Sequence, residues 1–242
     1  MQRLLLPSAA ASFPLLPFPH NKTSTTIRCT SERKSNTNPN TLRWPAISFS
    51  LFASGFFLGP LIDGLHSRVN LVVYQTGAID IGPLHTNIWV PPLLGVFYCS
   101  VGVLQLILDE KFSPNEKGSL DKVVASLIAL VAIIELSAEM YKSGVADNIE
   151  AYILFAGAQL IWALLDKTTL GFALSSLVGI ACPLAEIPIV KLWHLWYYPG
   201  ANVEIFEEGI VSWTIVCYFV YTPFLINLAR WIKTLLASKQ ES

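Results

Sequence analysis

Glu135 and Glu139 stand one helical turn apart in "VAIIELSAEM", a stretch otherwise made of apolar and small residues up to Ser137. The i,i+4 spacing puts both carboxyl groups on one helix face. Glu186 lies in "CPLAEIPIV", between Pro183 and Pro188, and proline rings free backbone carbonyls nearby. Asp63 closes a further apolar run. Acids inside membrane-spanning segments are rare and mark functional sites, whereas acids at span ends reach the headgroups at little cost. Gln159 and Trp162 in "GAQLIWALLD" add hydrogen-bonding groups to the face on which Gly157 and Ala158 supply the small residues of helix–helix packing.

Other chemistry has no signature here. The chain has no G-x-S-x-G, H-E-x-x-H, P-loop or dinucleotide fingerprint. Its histidines, His20, His66, His85 and His194, have no metal-ligand spacing. The four cysteines form no C-x-x-C pair, and Cys99, Cys182 and Cys217 fall in separate apolar segments, as buried free thiols would. No catalytic residue, metal or cofactor is therefore expected.

The elements that hold these residues follow from composition. Hydrophobic residues make up 53% of the 242 and charged residues only 14%, against about a quarter in soluble domains. The net charge of −1 points to no nucleic-acid partner. Six apolar segments are long enough to cross a bilayer: residues 47–64, 88–108, 120–140, 149–165, 170–190 and 210–232. They are continuous rather than alternating, which excludes barrel strands. The expected fold is all-α, a bundle of six transmembrane helices over residues 44–235, followed by a disordered tail, 236–242.

The connections fit that bundle. Asp147 or Asn148 could cap the fourth span. "DKTT" reads as a tight turn between antiparallel helices, with Asp166 and Lys167 at the headgroups and Thr168 or Thr169 capping the fifth span. The last connection, rich in aromatics and acids, suits a membrane interface. With six spans, the even-numbered loops and both tails share one side. Past residue 28 that side carries ten Lys and Arg residues against Arg68, Lys142 and Lys191 on the other, which places both termini on the side of synthesis.

The leader differs from the rest. Residues 1–40 contain five basic residues, one acid (Glu32) and dense Ser and Thr, the composition of an organelle transit peptide. "IRC" resembles a plastid processing site, which gives a transit peptide over residues 1–28, cut near Cys29, and a disordered tail over 29–43. A secretory apolar region within "LLLPSAAASFPLLPFP" is the alternative, although three internal prolines interrupt it before the fourth ends it.

Four stretches together resemble the insulin-induced gene (Insig) family, in its plastid-targeted plant type: "NIWVPP", "LSAEM", "DNIEAYILFAGAQLIWALLDKTTLGFALS" and "YFVYTPFLINLAR". The matching positions are Trp89, Pro91 and Pro92 opening span two, Ser137 and Ala138 ending span three, Trp162, Asp166, Lys167 and Gly171 around the fourth turn, and Asn227 and Arg230 near the end. The likeness covers residues 57–230, all six spans. It implies a non-catalytic six-helix membrane protein. Animal members reside in the endoplasmic reticulum, bind sterol together with a sterol-sensing escort protein and retain that partner; bacterial and archaeal relatives resemble lipid-binding bundles. Two positions depart from the pattern: the aspartate that animal members need for escort binding falls near Tyr141 here, and their histidine before the Ser-Ala pair resembles Glu135 in position.

The reading that follows is a lipid-binding scaffold or regulator of another, unidentified membrane protein, in the thylakoid or inner envelope of the chloroplast. Glu135, Gln159, Trp162 and Glu186 are the expected polar contacts to a diacylglycerol, galactolipid or sterol-like amphiphile, with a protonated Glu135 donating to its head. The competing readings are a sterol-dependent regulator of the endoplasmic reticulum and an intramembrane enzyme or carrier using Glu135 and Glu186.

Overall fold

A computed structural model describes residues 39–113 and 116–238, with side chains from Trp44 onward. Residues 1–38, on which the expected transit peptide and processing site near Cys29 fall, and the last four residues lie outside the described residues. Among the described residues there are six long helices: α1 (Pro39–Ser67), α2 (Val90–Phe112), α3 (Leu120–Lys142), α4 (Asp147–Leu165), α5 (Thr169–Trp193) and α6 (Trp213–Ser238). Each is long and apolar enough to cross a bilayer, and the chain is a multi-pass membrane protein. Two segments expected as tail are helical at their inner ends: residues 39–43 belong to α1 and residues 236–238 to α6.

The loops supply the part that an all-α reading omits. Among the described residues, three short antiparallel ribbons lie between the helices. β2 (Ala78–Ile81) pairs with β3 (Leu84–Asn87), and β5 (Val203–Ile205) pairs with β6 (Glu208–Ile210), each as a local hairpin. β1 (Val73–Tyr74) pairs with β4 (Trp196–Tyr197), which joins the first loop to the fifth across the end of the bundle. Asn87, fully buried, holds this junction. Its Nδ2 donates to the carbonyls of Thr76 at 2.7 Å and Leu195 at 3.1 Å, and its Oδ1 accepts from the Trp89 amide at 3.0 Å. Pro91 and Pro92 then begin α2, where a missing N–H leaves no hydrogen bond unmade.

α6 is the central element. Its apolar window is 83% buried, whereas that of α4 is 17% buried and presents Tyr152, Phe155, Leu160 and Leu164 to the surrounding lipid. α1 lies close along α2 through glycine: a Cβ at Gly55 would stand 2.4 Å from the Leu94 carbonyl oxygen. Small residues at such a seam let helix backbones approach where no hydrophobic effect drives association. Gly118 does the same for the loop before α3, since a Cβ there would fall 2.0 Å from the backbone of Trp231 in α6.

The helix ends correct two expectations. Ala146, not Asp147 or Asn148, occupies the N-cap of α4 without a side-chain bond, and Asp147 and Glu150 fall in the first turn. There acids complement the positive end of the helix dipole. Thr168 caps α5 as expected, its Oγ1 accepting from the Gly171 amide at 2.9 Å. Lys167 is exposed with φ 62°, closing the turn in the left-handed region.

Asp166 does not reach the headgroups. It is buried and accepts from Thr168 Oγ1 at 2.7 Å and from Arg230 at 3.2 Å. Arg230 also grips Asp109 of α2 with two bonds, at 2.7 and 2.8 Å, and Gln105 donates to the same carboxylate at 2.7 Å. Asn227, one turn before Arg230, donates to the Leu165 carbonyl at 3.4 Å. One arginine thus ties α2, the α4–α5 turn and α6 together. Two carboxylates against one guanidinium leave a net negative charge, which the donors from Gln105 and Thr168 help to spread.

Candidate functional site

The opposite end of the bundle encloses a cavity of about 400 Å³ between α1, α2, α5 and α6, under the β1–β4 junction. This falls within the range of small-molecule sites. Most of its wall is apolar, from residues such as Val90, Leu93, Leu94, Val96, Phe97 and Ile189. Asp63 and His66 enter from α1, Glu186 from α5, and Tyr218 and Tyr221 from α6, while Tyr74, Trp196 and Tyr198 close it from the two joined loops.

The helical periods explain the convergence. Tyr218 and Tyr221 are i,i+3 neighbours on α6 and so share a face. Asp63 and His66 repeat that spacing at the end of α1. Glu186 points inward from the segment of α5 that Pro183 and Pro188 interrupt, and it accepts hydrogen bonds from the hydroxyls of Tyr198, at 2.5 Å, and Tyr218. Asp63 receives one long contact, from the Tyr221 hydroxyl at 3.4 Å. His66 Nε2 lies 2.7 Å from Ser137 Oγ, and its ring packs on the Trp213 indole with centroids 4.4 Å apart. Ser137 in turn donates to the Ile134 carbonyl at 2.8 Å.

Burial pushes the Tyr198 hydroxyl well above the ordinary phenol range, and the Glu186 carboxyl beside it adds to the rise. Burial, then the Asp63 carboxyl, does the same for Tyr74. Both loop tyrosines are therefore neutral donors at the mouth. A largely apolar chamber with two carboxyl groups and a rim of phenols can hold a long apolar body and fix a small hydroxylated head.

Of the residues expected to contact an amphiphile, only Glu186 lines this cavity. Glu135 faces the bundle surface with its side chain 40% exposed and pairs with Arg68 at 2.7 Å, Glu139 lying 3.7 Å from the same guanidinium. The Glu135 carboxylate, by hydrogen bond and charge, holds the Arg68 pKa above its usual value. Glu135 is thus an acceptor for Arg68 at the bundle surface, apart from the cavity in which it was expected to meet a ligand head. Arg68, in the connection just beyond α1, reaches across to Glu135. Trp162 Nε1 donates to the Thr168 carbonyl at 3.1 Å and its ring meets Phe172 edge-on, which makes it a brace of the α4–α5 turn. Gln159 is half-buried on α4 with its Nε2 unpartnered, outside the cavity lining. Glu135 and Glu186 do not converge, and the carrier or enzyme reading needed them to.

The family-motif positions divide by role. Ser137 supports His66, and Ala138 is wholly buried beside it. Asp166, Gly171, Asn227 and Arg230 build the far-end ion cluster and its turn; a Cβ at Gly171 would overlap the Asp166 carboxylate. Trp89 is half-exposed at the start of α2. Sequence reasoning passed over Tyr198, Tyr218, Tyr221 and His66 as site residues, and the i,i+3 pair on α6 was the available signal.

The six-helix bundle with its capped end is an Insig-like membrane fold. The chain is similar to the crystal structure of a mycobacterial Insig homologue, MvINS from Mycobacterium vanbaalenii, with TM-score 0.65 and 20% identity over 77% of this chain and 94% of that one. A cross-linked cysteine variant of MvINS, crystallised as a trimer, gives TM-score 0.64 and 20% identity over 76% and 93%. No family model matches the sequence, and no curated protein matches it.

Proposed function

We propose that this protein is a non-catalytic plastid membrane protein that holds one membrane amphiphile in its cavity and serves as a scaffold or regulator of another membrane protein. The cavity carries the reading: about 400 Å³, largely apolar, with its polar groups gathered near the loop-covered end. A small polar metabolite without an apolar chain has no use for such walls, since most of its hydration would be lost without compensation. Diacylglycerol, a galactolipid or a sterol-like molecule combines the apolar body and hydroxylated head that the lining suits. The plastid assignment rests on the acid-poor leader. The regulatory role rests on the resemblance to Insig proteins.

The test is lipid retention. Full-length protein purified from its native membrane in mild detergent should carry a stoichiometric amphiphile by native mass spectrometry. Ala185→Phe, which puts a ring into the cavity from a lining position on α5, should lose most of it while the helical circular-dichroism spectrum is unchanged. Equal retention by both proteins would show that the lipid sits on the outer surface and would overturn the proposal.

A further inference from the structure

Among the described residues two carboxyl groups line the cavity, and no lysine or arginine does. Glu186 has a tyrosine hydroxyl on each oxygen. Asp63 is left short: beyond the 3.4 Å contact to Oδ1 from Tyr221, its Oδ2 accepts no hydrogen bond among the described residues. His66 offers Asp63 no donor in this arrangement: Ser137 gives its proton to the Ile134 carbonyl and so accepts from His66 Nε2, which leaves Nδ1 of the neutral ring without a proton. An independent vacancy of the other sign lies in the same lining. Trp213 is 5% exposed, and its indole N–H has no acceptor. A buried donor or acceptor without a partner costs free energy that a ligand group can recover.

The two vacancies define a head. One group must donate to Asp63, and another must accept from Trp213. Two carboxyl groups with no lysine or arginine beside them favour an amine, which takes up the acid proton and forms a charge-assisted bond, the stronger kind in low dielectric. The rings of Tyr74, Trp196, Tyr198 and Tyr221 around the cavity add quadrupole attraction for a cation. An anionic head finds no lysine or arginine in the lining to pair with. We propose that the preferred occupant is a long-chain amino alcohol, in which an ammonium faces Asp63 and Glu186, an adjacent hydroxyl accepts from Trp213, and a single chain runs along Leu93 and Phe97. This rests on the reading of the cavity as an amphiphile site and names the head that the site selects.

The experiment is a competition on full-length protein in nanodiscs, read by native mass spectrometry. The probes are sphingosine, a monoacylglycerol and a fatty acid of matched chain length, with ethanolamine as the chainless control. Sphingosine should bind at least roughly tenfold tighter than the monoacylglycerol, on the scale of one charge-assisted bond. The fatty acid and ethanolamine should not compete. Asp63→Asn should bring sphingosine down to the monoacylglycerol level while leaving monoacylglycerol binding in place, which also shows that the variant is folded. Equal binding of sphingosine and monoacylglycerol by the unaltered protein would overturn this inference and leave the amphiphile cavity standing. Binding of none of the three chains would overturn both. A sphingosine preference that survives in Asp63→Asn and in Glu186→Gln alike would overturn the assignment of the ammonium to these acids.

Discussion

Arg230→Met should be among the most damaging single substitutions outside the cavity. Arg230 and Asp109 have side chains 6% exposed, Asp166 has none exposed, and three charge-assisted bonds of 2.7–3.2 Å join them. Methionine fills much of the same volume but leaves two carboxylates buried without a countercharge. Breaking a buried pair in this way costs about 3–5 kcal/mol. For a chain of this size each kcal/mol moves the midpoint by roughly 2–4 °C, so the melt should fall by about 6–20 °C. Lys233→Met is the control. It removes the pair to Glu110, whose partners are 37% and 52% exposed, and such pairs are worth about 1 kcal/mol or less. Adding Asp109→Leu to Arg230→Met should recover part of the loss, because one stranded charge goes with it. The assay is thermal unfolding in mild detergent, followed by tryptophan emission. An Arg230→Met melt within about 2 °C of the unaltered protein would refute the reasoning, since it would mean that the cluster contributes no more than a surface pair.

Residues 1–60 fused to a fluorescent protein should enter plastids and be cut near Cys29; an uncleaved fusion in the endoplasmic reticulum would revive the sterol-regulator reading. Protease added to stromal-side-out vesicles should clip the loop around Lys117 and the C-terminal tail and spare the β5–β6 hairpin, as the lysine and arginine distribution requires; the reverse pattern would invert the topology. Asn87→Ala should loosen the junction of the first and fifth loops, at about 1–3 kcal/mol for the buried carbonyls left unpaired. Hydrogen exchange should then rise selectively over residues 73–76 and 195–197, and unchanged exchange there would contradict its role as the clasp.

The six spans were legible because apolar runs of that length have one stable form in lipid. Their ends shifted by a few residues where loop structure competes. Ile210, expected to start the last span, instead ends β6, and α6 begins at Trp213. Thr168 was readable as a cap because capping is a local property. Asp166 was not readable as an ion-pair member, because its partner Arg230 is 64 residues away and a charged turn looks the same either way. Glu186 stood out through its prolines. Glu135 misled because an acid in an apolar run gives no sign of an arginine in a neighbouring connection that neutralises it. The mouth of the cavity was hidden for a similar reason: two-residue strands such as β1 and β4 carry no periodicity, and their pairing spans more than a hundred residues.

The central claim is that the space beneath the β1–β4 junction holds an amphiphile. Photo-crosslinking tests it most directly: native membranes are irradiated with a single-chain lipid carrying a diazirine in the chain, and labelled peptides are mapped by mass spectrometry. The label should concentrate on the cavity faces of α2 and α5, around Phe97 and Ile189, and fall away in Ala185→Phe. Label spread instead over the lipid-facing side of α4, around Phe155 and Leu164, and unchanged by Ala185→Phe would contradict it.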